Sequence, residues 1–159
     1  MWEPYNSYEE KARSIIDKIR YMVLATSDKM GNPWASPVFF AVDEKYNFYF
    51  LSAIDSRHGI NIEKNPKVGI AIFDSTNPMG SSDGVQLEAT VSIIGKKDIA
   101  KTIDIYCKRL FPNSKIASTD LYEPSRYVEP SEFRFYKVEP IAVYVNGVER
   151  REKVDLNKR

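Results

Sequence analysis

A chain of 159 residues can bury one hydrophobic core but is too short for two domains of ordinary size, which predicts a single domain. Its 43% hydrophobic and 28% charged residues exclude a disordered chain, and its net charge of +1 provides no basic field for nucleic acid or an anionic membrane. No apolar leader or membrane-spanning run is visible, and a single cysteine fits a reducing compartment, so we expect a cytoplasmic protein.

The first element is an amphipathic helix that runs to about residue 20. Ser7 and Glu10 have the spacing of a capping box, in which the serine accepts from a first-turn amide and the glutamate reaches back. The apolar residues that follow have helical spacing, which predicts that they face the core: Ala12, Ile15, Ile16 and Ile19.

Three extended runs then predict an antiparallel meander. The runs are 21–27, 34–42 and 48–52, and turns are expected at 28–32 and 43–47. Because Pro33 and Pro37 lack amide hydrogens, the second strand should lie at a sheet edge or carry a bulge.

The remaining sequence alternates between helices and strands. It predicts a short helix over 56–64, strands over 68–73 and 84–94, a helix over 97–110, and closing strands over 133–138 and 141–145. The second long helix carries an apolar stripe of Ile99, Ala100, Ile103, Tyr106, Cys107 and Leu110. Residues 146–159 form a charged tail that we expect to be loose unless it docks on a partner.

About six antiparallel strands with two main helices favour a mainly-β barrel with flanking helices over a parallel sheet. Many strand aromatics in a small open barrel leave apolar surface that one core does not readily hide, which predicts a homodimer.

Most enzyme signatures are absent from the sequence. With one histidine and one cysteine, neither an imidazole pair nor a thiolate cluster can hold a metal. We find no glycine-rich phosphate loop and no serine elbow, so no catalytic side chain is identified.

One motif does suggest ligand binding: Ser52, Ser56, Arg57 and His58 surround the start of the short helix. A helix N-terminus favours anions, and a guanidinium suits phosphate, so these residues could form a phosphate clamp. The alternative is that Ser56 merely caps the helix while Arg57 and His58 are solvated.

Four stretches resemble the pyridoxamine 5'-phosphate oxidase-like FMN-binding split-barrel family. They are GNPWASPVFF at 31–40, FYFLS at 48–52, SRHGINIEKNPKV at 56–68 and GVQLEA at 84–89. The resemblance covers about residues 12–95, with 133–145 similar to the closing strands. It implies an antiparallel split β-barrel that binds FMN at a homodimer interface.

The resemblance also implies particular cofactor contacts. The flavin ring would lie against Ala35, Ser36, Pro37, Val38, Phe39 and Phe40. The phosphate would be held at Ser52, Ser56, Arg57 and His58, next to Leu51. Gln86 would reach the cofactor from the other subunit, unless it is simply an outward polar residue on an alternating strand.

The functional expectation is an FMN-dependent oxidoreductase that acts on an unidentified small molecule. The alternatives are a non-catalytic flavin carrier or sensor, or a same-fold protein that uses deazaflavin or haem. Authentic pyridoxamine-phosphate oxidase activity is not expected, because that activity depends on a C-terminal segment with Trp and paired Arg. Here residues 146–151 read NGVERR, without Trp.

Overall fold

The computed structural model describes residues 5–78, 83–112, 121–147 and 149–158. Within these residues the α-helices are α1 (Tyr8–Lys18), α2 (Arg57–Lys64) and α3 (Ile99–Leu110). The strands are β1 (Tyr21–Ser27), β2 (Pro33–Phe39), β3 (Ala41–Val42), β4 (Phe48–Ala53), β5 (Lys67–Phe73), β6 (Gly84–Ile93), β7 (Phe133–Asn146) and β8 (Arg151–Val154). No helix in the described ranges has both the length and the apolar composition needed to cross a bilayer.

The strands form one antiparallel sheet that curls into a half-barrel. Its order is β2-β1-β5-β6-β7-β4-β3, and β8 is added beside β7. The inner face holds the main core, where Phe40, Phe48, Phe50 and Tyr136 are fully buried. This arrangement confirms the predicted mainly-β, antiparallel split barrel. It also places β2 at the end of the sheet, as its two prolines predict.

The sheet has eight strands where about six were predicted, because the run over 34–42 contributes two strands and the C-terminal segment adds β8. Phe40 interrupts the run: its ring is fully buried, and its amide donates to the carbonyl of Arg20. Before Phe40 the chain pairs with β1, and after it the chain pairs with β4. The interruption is therefore the point at which the chain changes partner strands.

The predicted break at Glu139-Pro140 was wrong, since β7 continues through it. The register shifts between Glu88 and Ala89 on β6, so that Ala142 faces Glu88 and Pro140 faces Ala89. Ile141 is the extra residue of a β-bulge. A bulge tolerates proline because the local ladder is already interrupted, and the strand bends without ending.

The charged tail is not loose in the described residues. Arg151–Val154 forms β8 against β7, and Val154 and Leu156 are buried in the main core. Two apolar side chains among many charged ones thus attach the C-terminal segment to the barrel.

The two predicted turns have the same construction. In each, an aspartate accepts from two backbone amides and from the side-chain amide of an asparagine four residues later: Asp28 with Asn32, and Asp43 with Asn47. The residue before the asparagine has a positive φ in both turns, 84° at Gly31 and 56° at Tyr46. Glycine adopts this conformation without strain, whereas tyrosine does not.

Helix α3 covers a second apolar cluster below β4 and β7. Ile99, Ile103 and Cys107 are buried there as the stripe predicts, together with Tyr49 and Phe135. Ala100 is exposed instead, and Thr102 takes a buried position while its hydroxyl donates to the carbonyl of Asp98. The buried stripe is therefore rotated slightly from the predicted one.

Two arginines link the C-terminal ends of α1 and α3. Nη2 of Arg109, in α3, donates to the carbonyls of Ile16 and Ile19 at the end of α1, at 2.5 and 2.6 Å. Nη2 of Arg20, just after α1, donates to the carbonyls of Arg109 and Leu110 at the end of α3, at 3.3 and 3.1 Å. The last carbonyls of a helix have no intrahelical donors. Here the carbonyls at each helix end accept hydrogen bonds from an arginine of the other segment.

Candidate functional site

The candidate site lies where β4 turns into α2. Ser56 is the N-cap of α2: its Oγ accepts from the amide of Gly59 at 3.1 Å and donates to the carbonyl of Ala53 at 2.7 Å. The capping role foreseen for Ser56 is therefore present. The amides of Arg57 and His58 have no acceptor among the described residues, as is usual for the first turn of a helix. They remain available to an anion.

Gly59 allows α2 to start this close to β4. A Cβ at this position would lie 2.8 Å from the carbonyl oxygen of Ile54 and 3.0 Å from that of Ala53. Both are backbone atoms and cannot rotate away. Sequence reasoning did not identify Gly59, because a glycine within a helical pattern carries no sign of what packs against it.

His58 connects the two sides of the split barrel. Its Nε2 is 2.7 Å from Oγ of Ser52 on β4, and its Nδ1 is 3.1 Å from Oγ of Ser36 on β2. β2 and β4 are not neighbours in the sheet, so the imidazole joins strands that no backbone ladder connects. The ring of Phe50 meets the imidazole edge-on at 6.1 Å.

Burial lowers the pKa of His58 below its ordinary value of 6.5. The bridge fits the neutral form, in which one ring nitrogen donates and the other accepts. A protonated ring would have two donors, and the serine hydroxyl that donates to it would have to reorient. At neutral pH the site therefore contains an uncharged imidazole, and Arg57 is its cation.

We expect the lowered pKa to make stability fall in mild acid. Below pH 6.5 the unfolded chain takes up a proton that the folded chain resists, so this contribution is complete above 6.5 and is lost as the pH falls toward the folded-state pKa. Urea unfolding at about pH 7.5 and about pH 5.5 should therefore show a larger loss for the wild type than for His58→Asn. Equal losses in the two proteins would contradict the assignment.

Arg57 lies against an aromatic ring. Its Cζ is 4.3 Å from the ring centroid of Trp34 on β2, and both side chains are exposed. As an aromatic residue on a strand, Trp34 could stack on a flavin ring or pack in a core or dimer contact. In the structure it orients the guanidinium beside the start of α2, a role that spacing along the chain could not reveal.

Two asparagines hold α2 on the sheet. The side-chain amide of Asn61 donates to the hydroxyl of Thr26 at 3.0 Å in a buried setting, and that of Asn65 donates to the hydroxyl of Ser27 at 3.0 Å. Both hydroxyls belong to β1, so these bonds fix the position of the helix that carries Arg57 and His58.

The predicted ring-contact strand presents two different faces. Ser36, Val38 and Phe40 point inward and are buried, whereas Ala35 and Pro37 are exposed on the outer face. Phe39 is half-buried and meets Tyr106 edge-on at 5.1 Å, and Leu51 packs against the second cluster. Ala35 and Pro37 are therefore the side chains that a ligand ring on the outer face could contact.

Gln86 lies away from the α2 site within one chain. It is exposed on β6, in one row of the sheet with Ala71 of β5 and Tyr144 of β7. Two strands, β1 and β5, separate β6 from β2. A contact between Gln86 and a ligand at α2 therefore requires a second copy of the chain, and this role remains a prediction.

A cleft of about 1080 Å³ lies elsewhere, between α1, α3 and the turn that joins β3 to β4. None of the predicted cofactor-binding residues lines it. Its walls mix cations and anions, including an ion pair of 2.7 Å between Lys108 and Asp104. Seven lysine or arginine and five aspartate or glutamate side chains line the cleft, so its positive charge is largely balanced by carboxylates.

The curled sheet, with a short helix joining its two sides, defines a split-barrel protein. A family model described as pyridoxamine 5'-phosphate oxidase matches residues 8–146, and the chain belongs to that family. This confirms the resemblance found in the sequence. A search of curated proteins found no match.

Solved structures with the same fold include proteins of different kinds. A heme binding protein from Mycobacterium smegmatis is 21% identical with a TM-score of 0.73, over 98% of this chain and 60% of that one. HutZ, the heme storage protein from Vibrio cholerae, is 19% identical with a TM-score of 0.67, over 86% and 93%. General Stress Protein 26 from Bacillus anthracis is 18% identical with a TM-score of 0.63, over 92% and 98%.

Proposed function

We propose that the protein binds FMN, with the phosphate at the start of α2 and the ring along the outer face of β2. The observation that carries this proposal is the cluster of donors: two first-turn amides without acceptors among the described residues, the hydroxyl of Ser52, and the guanidinium of Arg57. Backbone amides at a helix N-terminus, hydroxyls and a planar guanidinium are the groups that bind phosphate.

The residues fit a phosphate better than a neutral ligand. The hydroxyl of Ser56 donates to the carbonyl of Ala53, and the hydroxyl of Ser52 lies 3.4 Å from the Ser56 oxygen, so Ser52 stands beside the residue that caps α2. His58 can donate one further bond if it releases a serine. A phosphate would thus meet donors from β4, from the helix start and from Arg57.

The proposal includes a homodimer that completes the site. The outer face of β1, β2 and β5 carries small side chains, among them Ala25, Ala35, Gly69 and Ala71, beside the exposed Tyr21. A smooth, weakly polar sheet face suits packing against a second copy, which would bring its Gln86 to the ring. The expected mass in solution is about twice the monomer's 18.3 kDa.

In its catalytic form the protein would act as an FMN-dependent oxidoreductase on a small molecule. FMN supplies the redox chemistry when it is bound. The chain's own residues would hold the phosphate, position the ring against β2 and exclude water through the second copy. No protein acid or base is required, in keeping with the small number of reactive side chains.

Haem is the second candidate, favoured by the heme-binding proteins among the similar structures. An axial histidine could only be His58, the one histidine of the chain, and both its ring nitrogens are engaged by serines. The absorbance spectrum of the purified protein separates haem, with its sharp Soret band, from flavin and deazaflavin. Turnover with NADH or NADPH separates an enzyme from a flavin carrier or sensor.

Titration with FMN and with riboflavin, followed by quenching of flavin fluorescence, tests the proposal. We expect FMN to bind more tightly than riboflavin, which lacks the phosphate. Arg57→Ala should weaken FMN binding by about 1.5–3 kcal/mol, the contribution of a hydrogen bond to a charged group, and leave riboflavin binding nearly unchanged.

The exposed Arg151 provides the matched control, because Arg151→Ala removes the same charge from β8, which pairs with β7 and carries none of the predicted phosphate-binding residues. It should bind both flavins as the wild type does. If neither flavin binds to the wild type, or if both bind equally, the phosphate site does not exist.

A further inference from the structure

Arg134 is a largely buried cation that has no carboxylate partner among the described residues. On β7 its residue is only 8% exposed, and no carboxylate among the described residues lies within ion-pair distance. Buried arginines are normally paired with an acid, because removing the charge from water is costly. The sequence gives no indication of this, since Arg134 lies within an ordinary aromatic strand.

Arg134 is the cross-strand neighbour of Ser52. The two residues face each other in the antiparallel pairing of β4 with β7, so their side chains leave the sheet on the same face. That face also carries Phe50 and Tyr136, whose rings stack at 4.7 Å. Arg134 therefore adjoins the strand end whose hydroxyl contacts His58.

The guanidinium is only partly used by the protein. Its Nη1 donates to the carbonyls of Ser131 and Phe133, and the residue between them, Glu132, accepts from the amide of Ile54 at 2.9 Å. This anchors Arg134 beside the turn from β4 to α2. Its Nε and Nη2 have no acceptor in the described residues and are not sealed from solvent.

We propose that Arg134 is a second phosphate-binding cation, which approaches the ligand from β7 while Arg57 approaches from α2. An anion would supply the missing counter-charge and accept from the unused nitrogens of the guanidinium. This inference rests on the proposed phosphate site and adds to it a residue from the closing strands. The competing role is purely structural: Arg134 would then serve only to bind the carbonyls of Ser131 and Phe133. The experiment distinguishes this structural role from phosphate binding.

The experiment measures the ratio of FMN affinity to riboflavin affinity in the wild type and in Arg134→Gln. We expect the ratio to fall about tenfold in the variant, because a charged hydrogen-bonding group is lost at the phosphate. Riboflavin affinity should be unchanged, which also shows that the variant is folded. Lys137→Gln, on the same strand but the opposite face, should keep the wild-type ratio.

Each result decides between the roles. An unchanged ratio in a folded Arg134→Gln overturns the inference and leaves a purely structural clasp, while the proposed FMN site stands. If the wild type binds no flavin, the proposed function itself fails. If Arg134→Gln does not fold, Arg134→Lys replaces it. Its ratio of FMN to riboflavin affinity should fall about threefold, because the lysine ammonium keeps the charge but lacks the planar pair of donors of the guanidinium. An undiminished ratio there also overturns the inference.

Discussion

An Arg109→Ala variant is expected to lose about 3 kcal/mol of unfolding free energy, the largest effect we foresee for one side chain. The guanidinium satisfies the carbonyls of Ile16 and Ile19 at the end of α1, and its Cζ lies 4.6 Å from the ring centroid of Phe40. Without it, two carbonyls lose their donor and the Phe40 ring loses a covering group. The Nε of Arg109 is buried without a hydrogen-bond partner in the described residues, and this cost offsets part of the stabilisation that the guanidinium provides.

Chemical denaturation of Arg109→Ala beside Lys108→Ala measures this effect. Lys108 is the neighbouring cation on α3, but it is exposed, and among the described residues its ion pair is with Asp104 at 2.7 Å. Its removal should change stability little, because exposed pairs of this kind contribute little. Similar losses in the two variants would show that Arg109 stabilises the fold through general helix charge and not through the cross-helix bonds.

A Gly59→Ala variant is expected to lose both stability and FMN binding. The new Cβ would lie 2.8 Å from a backbone carbonyl oxygen at Ile54, so the start of α2 must move away from β4. Overpacking of this kind costs about 1–3 kcal/mol. The shift also displaces the two free amides and Arg57 together, so FMN affinity should fall more than tenfold while α2 itself persists.

Gly95→Ala is the matched control, because a Cβ at that position meets nothing within 4 Å and the backbone has φ −74°. Its stability should equal or slightly exceed that of the wild type, since alanine restricts the unfolded chain more than glycine does. FMN titration and thermal melting of both variants give the comparison. If Gly59→Ala melts and binds like Gly95→Ala, the close approach of α2 to β4 does not govern the site.

Local chemistry explains which parts of the fold were predictable. The run over 21–27 is β1 to the residue, because a short apolar run is bounded by a helix end and by a turn that contains Asp28, Gly31 and Asn32. Ser56 caps α2 as its residue type favours, and the prolines of β2 place that strand at the sheet end. Each of these outcomes depends on residues only a few positions apart.

Features that depend on distant neighbours were missed. Pro140 was interpreted as a strand end, but a bulge at Ile141 lets β7 continue past it along β6. The tail was expected to be loose, but Val154 and Leu156 are buried in the main core. In the candidate site, the motif from Ser52 to His58 was visible, but its connections to Ser36, Trp34 and Arg134 were not. Those residues are separated from the motif by tens of positions.

The sequence by itself determined the helices and the antiparallel strands, because hydrophobic periodicity, turn residues and capping groups act over short stretches of chain. Its resemblance to a known family indicated the split barrel and predicted a phosphate site at the motif from Ser52 to His58. The tertiary structure alone decided what surrounds that motif: it set His58 between two serines, laid Arg57 on Trp34 and placed the largely buried Arg134 beside Ser52, with no carboxylate partner among the described residues. These contacts arise from strand register and from the closure of the curled sheet, which join residues that no local pattern connects.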